Sequence, residues 1–197
     1  MYVPKHFDGG DEAAAFDFID AHGFAQLTGL LDGELFCTHL PLMLDRDGRR
    51  LLGHVAVANP QAKALAGQKV QCTFAGPHGY VSPSWYHSSG VPTWNYQAAH
   101  VYGTCQLIED DEAVHHLLRQ LTQQYEAGEA TPWQPNYNPG MIKAIVGFEI
   151  ALERVDLKFK LSQNRSKVDQ QSVVHALRLR NNQALAEAMV RQLDLDL

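Results

Sequence analysis

The sequence predicts a mainly β, α+β domain: an antiparallel barrel with peripheral helices and a C-terminal helix pair. Three observations carry this expectation. Several short stretches alternate apolar and polar residues with a period of two, the pattern of strands with one buried face. Strand-like and helix-like stretches do not follow the regular βαβ order that builds a parallel sheet. The Asp32-Gly33 pair sits between two strand-like stretches at hairpin spacing.

Taken in order, 11–21 reads as a helix, opened by acidic residues, with Ala15, Phe16 and Ile19 on one face and His22-Gly23 ending it. Strands are predicted over 23–30 and 34–44, the second interrupted at Pro41, and after a turn over 45–50 another strand runs over 51–58. Asn59-Pro60 then caps a short helix through Leu65. From 69 to 74, Val70, Cys72 and Phe74 alternate with Lys69, Gln71 and Thr73, and 79–86 is a further extended piece. A long strand covers 95–109, and a helix over 111–127 carries Val114, Leu117, Leu118, Leu121 and Tyr125 on one side. The Pro- and Asn-rich segment 129–140, with Trp133 and Tyr137, reads as an ordered loop. Two strands follow, because Phe148, Ile150 and Leu152 share one phase and Val155, Leu157, Phe159 and Leu161 another, with a bulge or tight turn expected near Glu153-Arg154. Two helices, 170–180 and 182–193, close the chain.

At 197 residues the expectation is a single domain, with 170–197 as a C-terminal helical extension. A hydrophobic fraction of 45% with 19% charged residues is globular composition. The formal net charge of -6 makes the average field repel phosphate polyanions, so any nucleic-acid contact needs a local basic patch. Cys37, Cys72 and Cys105 are widely spaced in apolar surroundings and read as thiols of a reducing compartment, and no apolar run approaches the roughly 20 residues that span a bilayer. A cytoplasmic protein without membrane partners is the expectation.

The common phosphate-loop, dinucleotide, zinc-protease and nucleophile-elbow signatures are missing. Polar-aromatic stretches stand out instead: Gly53-His54-Val55-Ala56 with Asn59-Pro60-Gln61, Val81-Ser82-Pro83-Ser84-Trp85-Tyr86, Val91-Pro92-Thr93-Trp94-Asn95-Tyr96, and Lys160-Leu161-Ser162-Gln163-Asn164-Arg165. The last puts two cations and three polar side chains within six residues, the composition a phosphate dianion requires, or else a cap on the last strand. Trp85, Tyr86, Trp94 and Tyr96 suit the walls of an apolar slot for a planar ring, with Ser82, Ser84, Thr93 and Asn95 as donors and acceptors; the same aromatics also suit a subunit interface. His54 and His39 are candidate hydrogen-bonding groups on strands, although a strand histidine more often has a structural partner. His115 and His116, adjacent on a helix, point about 100° apart and do not chelate one ion together. No metal is expected.

These stretches, with the opening Tyr2-Val3-Pro4-Lys5-His6-Phe7, resemble the PaiB-like family of FMN-binding negative transcriptional regulators, from the N-terminus to about Asp169. The resemblance implies a split β-barrel of the kind found in flavin reductases and pyridoxamine-phosphate oxidases, working as a homodimer with FMN at the subunit interface. One departure is Val57, where the resemblance implies a basic residue. Three functions follow: a flavin-binding repressor sensing flavin or redox state, an FMN-dependent oxidoreductase, or a split barrel that has lost its cofactor. Direct DNA binding has little support, because the C-terminal pair mixes Arg178, Arg180 and Arg191 with Glu187, Asp194 and Asp196.

Overall fold

A computed structural model describes residues 1–196, with Pro139 described by its backbone alone. Seven strands, β1 (Phe24–Leu31), β2 (Glu34–Pro41), β3 (Met43–Asp45), β4 (Arg50–Ala56), β5 (Lys69–Val81), β6 (Thr93–Ile108) and β7 (Ile145–Lys160), lie in one sheet of order β2-β1-β5-β6-β7-β4-β3. Five helices accompany it: α1 (Glu12–Ala21), α2 (Asp111–Glu126), the single turn α3 (Pro139–Ile142), α4 (Lys167–Leu179) and α5 (Gln183–Leu193). Three-residue and four-residue 3-10 turns stand at Lys5–Phe7, Pro60–Lys63 and Pro83–Trp85. No described helix is long and apolar enough to cross a membrane.

The chain forms two compact units. One takes Ile19–Phe74 and Val101–Val155, and the other takes Met1–Phe18, Ala75–His100 and the chain from Asp156 on. We call them the hairpin unit and the helical unit.

In the hairpin unit, β1 and β2 pair antiparallel from Phe24↔Pro41 to Leu31↔Glu34. The two turn residues Asp32 and Gly33 have φ of 54° and 85°, the left-handed pair that matches strand twist in a tight hairpin. β2 stops at Pro41 as expected, since proline offers no amide to the ladder, and Leu42 instead donates its N–H to the Gly23 carbonyl at 2.8 Å. β3 pairs with β4, and β4 with β7, both antiparallel. β2 also lies against β4 although it pairs only with β1, so the sheet curls without closing its ladder, which is the seam of a split barrel. Gly103 on β6 allows a close approach to β7: a Cβ there collides with the Ala151 carbonyl oxygen. Val114, Leu117, Leu118 and Leu121 bury one face of α2, as their spacing predicts.

The helical unit is organised around an apolar cluster of Val81, Leu161, Val173, Val174, Leu177, Leu185 and Met189. Ser166 caps α4 by accepting from the Asp169 N–H at 3.2 Å, and Asn182 caps α5 after Asn181 turns the chain with φ of 59°.

Two expectations are corrected. β5 does not break between Phe74 and Gly79 but runs to Val81, and the segment that follows is a 3-10 turn, not an extended piece. Gly76, in the middle of the strand, serves packing: a Cβ there meets the Phe18 ring at 2.8 Å. Likewise β7 is one strand through Glu153-Arg154, with no tight turn. The phase change is real, since Phe148, Ile150 and Leu152 are buried before it and Leu157 after it, and the boundary between the two units falls at Val155.

Candidate functional site

The singled-out residues divide between the two units. His39, His54 and Asn59 belong to the hairpin unit. The rest belong to the helical unit, where they form two neighbourhoods.

The first gathers the start of β6 against the turn after β7. The Lys160 ammonium donates to the Thr93 hydroxyl and, at 2.7 Å, to the Trp94 carbonyl. Burial and then the neighbouring Lys158 charge push its pKa below the usual lysine value. Asn95, 1% exposed, donates to the Ser162 hydroxyl at 2.9 Å and to the Met189 sulfur at 3.4 Å. Ser162 holds φ of 70°, a left-handed conformation that turns the chain sharply at the end of β7. Gln163 closes that turn on itself, accepting from the Leu161 N–H at 2.7 Å and donating to the Phe159 carbonyl. Asn164 is exposed. Arg165 donates to the Ser89 carbonyl at 2.9 Å and lies 4.2 Å from the Tyr86 ring centroid, a cation–π contact. Trp94 leaves 53% of its surface exposed beside them.

These groups cap the last strand, and they do so without neutralising the two cations. Among the described residues, Lys160 and Arg165 meet only hydroxyl and carbonyl oxygens and an aromatic face. A phosphate fits this donor set, because its charge is offered cations that have no competing carboxylate.

The second neighbourhood is the Pro83–Trp85 turn. The Ser82 hydroxyl accepts from the Ser84 N–H at 3.2 Å, and the two hydroxyls share a hydrogen bond of 2.8 Å. The Trp85 ring meets Tyr80 edge-on and carries the Arg180 guanidinium at 4.5 Å. Together with Leu177 and Asn182 these residues line a recess of about 410 Å³.

Asp169 was not among the sequence candidates, yet it orders the loop between the neighbourhoods. It is 1% exposed and accepts from the Ser88 hydroxyl, the His87 N–H at 2.7 Å and the Ser88 N–H at 3.2 Å. The Ser88 hydroxyl, then the two amides, hold its pKa down to about 2 against the cost of burial. The Ser166-to-Asp169 spacing at a helix start was the available signal, and it announces a cap without announcing the loop. Arg180 was noticed only as a C-terminal basic residue; nothing in its neighbours along the chain points to Trp85.

In the hairpin unit, Asn59 is a structural cap. Its carbonyl accepts from the Gln61 N–H at 3.0 Å and its amide donates to the Thr38 hydroxyl at 2.9 Å, while Thr38 donates to the fully buried Gln61 at 2.6 Å. His39 is exposed on β2, its ring 6.3 Å from that of Phe24. His54 lies opposite Gly147 on β7; its Nδ1 is buried without a hydrogen-bond partner, and burial lowers its pKa. An unmade hydrogen bond of that kind costs about 1–3 kcal/mol. Val57, just past β4, is 48% exposed.

A seven-stranded antiparallel sheet with an unclosed ladder, accompanied by several helices, is the fold of a split-barrel protein. The chain belongs to the family described as "Putative FMN-binding domain", which it matches over residues 1–154. It is 36% identical over 190 residues to Protease synthase and sporulation protein PAI 2 of Bacillus subtilis, covering 92% of this chain and 91% of that one, an extent that takes in the Lys160–Arg165 turn. An uncharacterised Emericella nidulans protein, AN0679, is 32% identical over 182 residues, covering 70% of this chain and 72% of that one. The fold is shared with the flavocytochrome Anf3 of Azotobacter vinelandii, at a TM-score of 0.63 and 21% identity over 76% of this chain and 67% of that one. A FAD and heme binding protein of Mycobacterium smegmatis gives the same TM-score of 0.63 and 21% identity, over 76% of this chain and 71% of that one.

Proposed function

We propose that this protein binds FMN and acts as a flavin-responsive negative regulator of transcription. The observation that carries the flavin reading is the pair Lys160 and Arg165, two cations held in place by neutral oxygens and so left to attract an anion. In this reading they hold the phosphate, with the Ser162, Gln163 and Asn164 backbone and the Thr93-Trp94-Asn95 strand fixing the turn that presents them. Tyr86 and Trp94 offer aromatic surface to the ring. When bound, the flavin supplies redox chemistry; the residues here bind and orient it.

The regulatory part rests on the resemblance of the sequence motifs to the PaiB-like negative transcriptional regulators. Recognition of DNA through α4 and α5 is the less favoured route, since Arg178 is paired with Glu187 at 2.9 Å and Arg180 lies on Trp85. We read the protein as a homodimer as well, which is what the resemblance implies.

Titration of cofactor-stripped protein with FMN and with riboflavin, followed by flavin fluorescence, tests the reading. Tight FMN binding with much weaker riboflavin binding is expected, and equal affinities overturn the phosphate clamp. Anaerobic addition of NADH or NADPH to the loaded protein is expected to leave the flavin absorbance unbleached; rapid bleaching replaces the regulator by an oxidoreductase. Sedimentation velocity giving a monomer at micromolar concentration overturns the dimer.

A further inference from the structure

We propose that the recess beside the Pro83–Trp85 turn is a second binding site, for a small planar carboxylate, separate from the phosphate clamp. The argument begins with Arg180. Its Nη1 donates to the Ala176 carbonyl at 3.3 Å and its guanidinium lies 4.5 Å from the Trp85 ring centroid, with no carboxylate partner among the described residues. The contact holds the guanidinium beside the Trp85 ring, and its planar fork of N–H donors is the group that matches a carboxylate edge.

Counting protons on the other wall adds a donor. Ser82 and Ser84 share one hydrogen bond between their hydroxyls, which uses one of the two O–H groups as donor. The other O–H remains to donate into the recess, whichever serine supplies it. Asn182, which also lines the recess, donates to the His78 carbonyl at 3.2 Å.

The remaining walls are the Tyr80 and Trp85 rings and the Leu177 side chain. Tyr80 is 45% exposed and meets Trp85 edge-on at 6.3 Å. Two aromatic walls and a leucine favour a flat, unsaturated body, and about 410 Å³ suits a ligand of one or two rings. One arginine balances one negative charge, which favours a carboxylate over a phosphate dianion.

The site is tested by calorimetry on the full chain with benzoate and nicotinate, with cyclohexanecarboxylate as control. The planar carboxylates are expected to bind with the control at least about tenfold weaker. Arg180→Gln is expected to weaken benzoate binding by about tenfold or more while FMN affinity stays within about twofold. Ser84→Ala, which keeps the arginine, is expected to give a smaller loss. Heat-silent titrations with both carboxylates overturn the proposal, as does an Arg180→Gln protein, folded by circular dichroism, that binds benzoate as the parent does. If FMN displaces benzoate and Arg180→Gln lowers both affinities together, the recess belongs to the flavin site and the second site is lost. Failure of FMN to bind with benzoate binding retained removes the flavin reading alone.

Discussion

The two units hold their best-ordered cations by different contacts. In the hairpin unit, three are paired with carboxylates: Arg50 reaches Asp45 at 2.8 Å and Glu149 at 2.7 Å, Arg46 reaches Asp20 at 2.6 Å, and Lys69 reaches Glu153 at 3.0 Å, while Arg154 lies 3.9 Å from the Tyr102 ring centroid. In the helical unit, Lys158, Lys160, Arg165 and Arg180 meet carbonyls, a hydroxyl and aromatic rings, and Arg178 is the side-chain cation there with a described carboxylate partner. Both arrangements fix a long side chain. Only the second leaves its charge free to act on a ligand, so a chain of net charge -6 still carries a locally cationic surface.

The largest effect should come from removing that free charge. Lys160→Ala and Arg165→Ala are each expected to lose about 2 kcal/mol of FMN binding, or roughly 30-fold in Kd, the worth of a charge-assisted hydrogen bond. Riboflavin affinity should move by less than about threefold, because it has no phosphate. If both ligands weaken equally, the side chains support the turn and the contrast between the units carries no functional meaning.

Next is Asp169, the acid that the helical unit buries against amides and a hydroxyl. Its pKa is lowered, so its contribution to stability is full above the unfolded value of 3.8 and is lost as pH falls toward about 2. Urea midpoints should therefore fall steeply across that window in the parent. Asp169→Asn should be less stable at neutral pH and should lose the part of the acid step that this carboxyl supplies. Parallel curves for the two proteins would place the acid sensitivity in the hairpin unit's ion pairs.

Much of this was legible in the chain itself. The Asp32-Gly33 hairpin, the Pro41 stop, the apolar face of α2 and the join at Asn181 were each written in local chemistry, because turns, caps and periodicity are decided within a few residues. The misreadings share one cause. The gap between 74 and 79 and the phase change at Glu153-Arg154 read as breaks in the sequence, yet β5 runs on through Gly76 beside the Phe18 ring and β7 passes as one strand through two units. The site was legible in the same measure. Lys160 to Arg165 announced a polar, cationic turn, but the fact that its cations lack acidic partners depends on Thr93, Trp94 and Ser89, about 70 positions away. Arg180 on Trp85 and Asp169 under Ser88 are long-range pairings with no mark on their neighbours, and only the folded chain reveals them.

The smallest expected effect lies where the charges are already paired. Arg50 is 41% exposed, and it touches Asp45 and Glu149, so its net worth is limited by solvent screening and by the entropy of holding the side chain. Arg50→Ala should lower stability by less than about 1 kcal/mol, and by still less in 1 M salt, where exposed pairs are screened within about 3 Å. FMN affinity should stay within about twofold. Urea midpoints at low and high salt, with an FMN titration beside them, check all three. A loss of FMN binding as large as that of Lys160→Ala would mean that the hairpin unit's ion pairs serve the ligand, and the division of labour between the two units would have to be redrawn.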